Sequence, residues 1–130
     1  MAVASDRLRR SPIFDEVSDE DLATIAEWFD EEGVRAGHHV TSEGASGYAF
    51  FVIDRGEARV LHGDREVRRL GPGDEFGEAA IIGDGRRTAS VVAETDLVLL
   101  ALFGTRFREL QRSYPDLSAK IESLMRERSD

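Results

Sequence analysis

Residues 76–91, FGEAAIIGDGRRTASV, hold the one arrangement in this chain whose residue types and spacing point to chemistry. A single acid, Glu78, follows Gly77; a short apolar run reaches Gly83 and Gly85, and Arg86 and Arg87 then lead into Thr-Ala-Ser-Val. The run GEAAII can make one or two helical turns, and a turn that starts at Gly77 points its free N–H groups outward together, where an anion fits. A guanidinium grips a phosphate with two parallel hydrogen bonds, so the arginines suit the same anion. A carboxylate beside a phosphate repels it unless the carboxylate faces a hydroxyl donor; a sugar hydroxyl suits Glu78. Gly77 and the alanines at 79 and 80 keep side chains out of the way of a ligand approaching the backbone. Together these features suit a phosphorylated sugar with an apolar or aromatic appendage, lodged against a barrel wall. The competing reading, an intramolecular Glu78–Arg87 ion pair, would be worth only about 0–1 kcal/mol if exposed.

The elements that must position this stretch are short strands. From Gly37 to about Leu102 turn signals recur every several residues (EGASG, DRG, HGD, GPGD, GDG, ETD), and between them lie YAFFVI, ARVLH, EVRRL, ASVVA and LVLLAL. Many short strands at near-regular spacing predict a mainly β fold, a jelly-roll-like β-barrel or sandwich. In GPGD, Pro72 presets φ and Gly73 supplies the positive φ of a type II turn, which predicts a tight hairpin corner. Before the barrel, Ser18 with Asp19, Glu20 and Asp21 marks a helix start, and Leu22, Ile25, Ala26 and Phe29 share one face. After it, Phe103, Phe107 and Leu110 return to a helical period, Tyr114-Pro115 breaks it, and Leu117, Ile121, Leu124 and Met125 form a last stripe. The layout is one domain over residues 1–130: a helical segment at 12–32, a barrel at 33–102, and two helices at 103–130.

Composition narrows the function classes. The chain has 130 residues and no cysteine, which is one domain's worth and excludes disulfides, thiolate metal sites and cysteine nucleophiles. A net charge of −9, with acids gathered in DEVSDEDLATIAEWFDEE, argues against direct nucleic-acid binding. That run reads as a solvated helix face in preference to a docking site for a basic partner. No apolar window is long enough to cross a membrane and no secretory signal opens the chain, so a soluble, cytoplasmic protein is expected.

FGEAAIIGDGRRTASV resembles the phosphate-binding cassette of cyclic-nucleotide-binding domains: Phe-Gly-Glu, small residues, a turn, then arginine, two small residues and a strand. GPGDEFGE resembles the family's approach to the cassette, SEGASGYAFFVIDRGEARV its earlier strands, SPIFDEVSDEDLATIA its leading helix, and the closing helices its hinge and lid. The resemblance implies a double-stranded β-helix fold and a cyclic nucleotide ligand, cAMP by a small margin over cGMP, with no catalysis and no cofactor. It implies that Glu78 accepts a hydrogen bond from the ribose 2′-hydroxyl and that Arg87, selected over Arg86 by its spacing from Glu78, pairs with the cyclic phosphate. Ala80 and Thr88 would offer N–H groups to phosphate oxygens, the Gly77 backbone would approach the ribose, and Val60, Leu70 and Ala79 match positions that line the base pocket. A hydroxyl at Thr88 permits cGMP without demanding it. Ile121, Leu124 and Met125 would belong to a helix that closes over the base at a hinge over residues 103–114; periodicity fits a permanently packed helix or a homodimer seam equally well. The family usually joins such domains to a DNA-binding helix-turn-helix, a kinase or a channel, so the expectation here is either a separate protein effector or a piece of a longer chain.

Two further readings remain at this stage. The fold could have lost the nucleotide and serve protein interaction, or it could be a cupin-like metal enzyme using His38, His39, Glu43 and His62. Against the second, adjacent strand residues point to opposite faces, so His38 and His39 do not readily share a metal.

Overall fold

The computed structural model describes residues 4–40, 49–62, 64–77 and 90–128. A short helix α1 (Ser5–Leu8) and a 3-10 turn (Pro12–Phe14) precede α2 (Asp19–Ala26). The Ser18 hydroxyl accepts the Asp21 N–H at 3.1 Å, and three acids in the first turn meet the positive helix end, as the sequence predicts. The helix is shorter than its predicted segment. Phe29 is fully buried, edge-on to Phe14 and Phe50 at 6.2 and 6.5 Å, and pins the chain to a sheet margin. From there Asp30–Val34 runs as strand β1, an edge strand. Gly33 therefore lies inside a strand, and the helical segment expected at 12–32 ends earlier.

The strands that follow are β2 (His39–Val40), β3 (Ala49–Arg55), β4 (Ala58–His62), β5 (Arg65–Leu70), β6 (Glu75–Gly77), β7 (Ser90–Ala93) and β8 (Leu97–Phe103). They form two four-stranded antiparallel sheets, ordered β1-β8-β3-β6 and β2-β7-β4-β5. The chain closes with α3 (Gly104–Ser113) and α4 (Pro115–Arg128). This is the mainly β, jelly-roll layout with flanking helices that the strand pattern predicts.

The Gly-Pro-Gly-Asp turn has the expected geometry, with Gly73 at φ +90 and the Asp74 N–H donated to the Gly71 carbonyl at 3.0 Å. It is not a hairpin, however. It carries the chain from β5 in one sheet to β6 in the other, tied to β3 because the Gly73 N–H is donated to the Ile53 carbonyl at 2.8 Å. A Cβ on Gly73 would lie 2.6 Å from the Arg10 carbonyl oxygen, so the N-terminal arm is seated on a position that takes only glycine.

The sheet that contains β3 and β8 is buried on both faces. Its outward side chains, Phe50, Val52, Leu100 and Leu102, join Leu22, Ile25, Phe107, Leu110, Leu117 and Ile121 in a helix-on-sheet core. Its inward side chains, Phe51, Ile53, Leu99 and Ala101, meet Val40, Ala58, Leu70 and Ala93 across the barrel. That double burial explains why LVLLALF reads as a continuous apolar run.

Candidate functional site

Burial of the inward-facing positions falls along both sheets toward one end of the barrel. On β8, Leu99 and Ala101 are fully buried, whereas Phe103 at the strand's end is only partly buried. On β4 and β7, Ala58 and Ala93 are buried, whereas Val60 and its partner Val91 are partly buried. Leucine 70 sits at the level of Ala58, on the floor, 2% exposed. Beneath the opening, Phe51 and Phe76 stack with ring centres 5.0 Å apart. The result is an apolar mouth framed by Val60, Val91 and Phe103.

Three chain paths converge on that mouth. β6 ends there at Gly77, paired with Phe50; β7 begins there at Ser90, paired with Leu61; and α3 leaves there directly from Phe103. The segment that joins Gly77 to Ser90 thus has both of its ends beside the opening. Glu78, Ala79, Ala80, Arg86, Arg87 and Thr88 all belong to that segment and lie outside the described residues. Of the expected ligand residues, Gly77 and Val60 are at this end, and Leu70 lies deeper. The register of β4 on β5 shifts between Val60 and Leu61, where Val67 is the extra residue of a bulge.

The expected lid residues sit elsewhere. Ile121 is fully buried and Leu124 partly buried in the helix-on-sheet core, on the opposite face of the β3–β8 sheet from the barrel interior. The Met125 side chain lies outside the described residues. Of the residues that frame the mouth, Val91 is not singled out by the sequence and Phe103 reads there as the start of the following helical stripe, whereas it ends β8 and precedes α3. β8 is apolar at every position and β7 carries two adjacent valines, so no local signal marks either residue; the two-residue pleat assigns both to the inward face only once the sheets are paired.

The far end of the barrel is closed by charge. Asp54, bulged between Ile53 and Arg55 and 2% exposed, accepts hydrogen bonds from Arg7 Nε and Nη2 at 3.1 and 2.8 Å. Arg10 Nε lies 3.4 Å from its other oxygen, and Arg10 Nη1 donates to its carbonyl at 3.0 Å. The hydrogen bond to Asp54, with a second to Glu31, holds the Arg7 guanidinium above its ordinary pKa. Ser11, also buried, donates to Glu75 at 3.0 Å. These contacts fasten the N-terminal arm across β3 and β6, away from the mouth.

The α3–α4 junction is tied to α2. The Tyr114 hydroxyl donates to Asp21 Oδ1 at 3.2 Å, and its ring lies 6.1 Å from Trp28. Burial, then the charge of Asp21 and the hydrogen bond to it, raise the Tyr114 pKa. His39 is exposed and alternates with the inward Val40, so its side chain is turned away from the barrel interior, where a cupin-type metal would sit.

The comparisons with known proteins agree with this architecture. The profile of the cyclic nucleotide-binding domain matches residues 31–114, and the chain belongs to that family. The chain is 32% identical over 130 residues to the cGMP-dependent protein kinase egl-4 of Caenorhabditis elegans, an overlap of 95% of this chain and 16% of the kinase. It is 28% identical over 130 residues to the cAMP-dependent protein kinase regulatory subunit of Colletotrichum orbiculare, covering 92% of this chain and 33% of the subunit. Among solved structures, the catabolite activator protein of Thermus thermophilus superposes with a TM-score of 0.78 at 30% identity, covering 91% of this chain and 58% of that one. The chain thus spans a third or less of the length of these two kinase relatives. No described helix is long and apolar enough to cross a membrane.

Proposed function

We propose that the barrel mouth binds a cyclic nucleotide, cAMP in slight preference to cGMP, and that the domain is a non-catalytic sensor acting in the cytoplasm on a separate protein effector. The observation that carries this reading is the half-open apolar mouth of Val60, Val91 and Phe103, with Gly77 and Ser90, which flank the Glu78 and Arg87 motif in sequence, at the same end. An apolar wall suits the purine. In the proposal Glu78 takes the ribose 2′-hydroxyl, Arg87 takes the phosphate, and backbone N–H groups of Ala80 and Thr88 complete the phosphate cradle. Gly77 leaves the ribose room, while Ala79 and Val60 touch the base and Leu70 supports it from below.

Signalling follows from continuity at Phe103, where the mouth passes directly into α3. A nucleotide that draws the cassette inward displaces α3, and α4 swings to bring Ile121, Leu124 and Met125 toward the base. That swing has a cost, since Ile121 and Leu124 are packed in the helix-on-sheet core. Uncovering a buried aliphatic side chain costs about 1.5–3 kcal/mol. With half of that for Leu124, the nucleotide must prefer the closed state by a factor on the order of 10² to 10³.

Paired substitutions test the assignment. Truncating one side of a desolvated charge pair at a binding site costs about 2–5 kcal/mol, so Arg87→Ala should weaken cAMP binding about 30-fold or more without lowering the melting temperature. Arg86→Ala should change the affinity little. Equal losses from the two substitutions would refute the assigned roles.

A further inference from the structure

A second opening, of about 510 Å3, lies on the far side of the β3–β8 sheet, between the N-terminal helical segment and the α3–α4 junction. Its size falls within the range of about 300–1,000 Å3 typical of ligand pockets. Ile13 and Leu117 make a buried apolar floor, and Val17 and Tyr114 are partly buried walls. The rim carries Glu16, Asp21 and Asp116 against one cation, Lys120. Asp21 is held in place by the Tyr114 hydroxyl. Arg9, behind the rim, is engaged by the carbonyls of Phe14 and Val17 and by Asp19.

Helix ends sharpen the charge. α3 ends on the wall at Ser113, which adds the negative end of a ten-residue helix. The positive ends of α2 and α4 also reach the groove, but acids in their own first turns offset them: Asp19, Glu20 and Asp21 in one, Asp116 in the other. An apolar floor under a net negative rim is complementary to an apolar side chain flanked by cations.

We infer that this groove docks a short basic segment of a partner protein, an aliphatic anchor between arginines or lysines. The aliphatic side chain covers Val17 and the Tyr114 ring, and the flanking cations meet Glu16 and Asp116. The acidic run around residues 15–32 then contributes part of a docking surface as well as a solvated face. The inference is independent of whether nucleotide binds the barrel mouth.

The test is an NMR titration of the 15N-labelled full chain, without nucleotide, using acetyl-Arg-Arg-Leu-Arg-Arg-amide, with the glutamate analogue acetyl-Glu-Glu-Leu-Glu-Glu-amide as control. The arginine peptide should shift the amides of Val17, Ser18 and residues 113–117 (Pro115 excepted) saturably, more weakly as salt rises, and the control should not. The double variant Glu16→Lys, Asp116→Lys reverses two exposed charges; apart from the small cost of a cation at the start of α4 it should keep the fold, while weakening the peptide about tenfold or more. The inference is overturned if those amides do not move at millimolar peptide. It is also overturned if the double variant binds as well as the parent, or if the acidic edge strand β1 shifts as strongly as the groove.

Discussion

Truncation of Ile121 separates a packed terminal helix from one that lies free until ligand arrives. Ile121 is fully buried among the side chains of α2, α3 and the outward face of the β3–β8 sheet. Ile121→Ala removes three carbons, worth about 2.4 kcal/mol at roughly 0.8 kcal/mol per buried methylene. The cavity left behind adds to this, within the observed range of about 2–5 kcal/mol for such changes. Partial relaxation of the surrounding side chains fills some of the void, so we expect about 3 kcal/mol. Leu124→Ala, at a partly buried site, should cost about 1 kcal/mol. Urea unfolding of the nucleotide-free protein, followed by circular dichroism, gives both numbers. A loss below about 1 kcal/mol for Ile121→Ala with an unchanged denaturant slope would show that α4 is not docked in solution, and the cost of closure worked out above would collapse with it.

Two other contacts give expected outcomes. Asp54→Ala takes the carboxylate from Arg10 and leaves Arg7 with Glu31 alone; because both arginines keep partial access to water, the loss should be about 1–3 kcal/mol, below the 3–5 of a fully buried pair, and a stability loss under about 0.5 kcal/mol by denaturant unfolding would contradict the clamp. Tyr114→Phe removes the hydrogen bond to Asp21 and should cost about 0.5–1.5 kcal/mol at neutral pH. The raised Tyr114 pKa favours the neutral phenol in the fold. Its contribution is therefore complete below the ordinary phenol pKa near 10 and is lost as pH climbs through the folded value; the phenylalanine variant should lose less stability over that alkaline window, checked by urea midpoints on either side of about pH 10.

The parts of the fold legible in the sequence are those in which packing leaves a local mark. β3, β4, β7 and β8 stand out as apolar runs between turn residues, whereas β5, exposed at most positions and buried at Leu70, is legible mainly from the turns on either side of it. β1 is an edge strand whose Asp30, Glu31 and Glu32 face solvent, so DEEGV carries no period and reads as the tail of a helix. β2 and β6, two and three residues long, are too short to show any. The turn at residues 71–74 had a legible conformation, but whether it folds a hairpin or a corner depends on which sheet receives β6. The candidate site divides in the same way. The Glu78 and Arg87 motif is local and visible, whereas Val91 and Phe103 gain their meaning from three strands and a helix that end together. The stripe on α4 fitted a lid or a packed helix; its burial against Phe107 and Leu110 is a tertiary fact.

Isothermal titration calorimetry of the chain with cAMP and, separately, cGMP at matched ionic strength tests the central claim most directly. Saturable one-to-one binding, tighter for cAMP by a small factor and abolished or strongly weakened in Arg87→Ala, is the predicted result. Absence of heat with both nucleotides, together with an unshifted melting temperature in their presence, would contradict it and leave the barrel mouth without its proposed ligand.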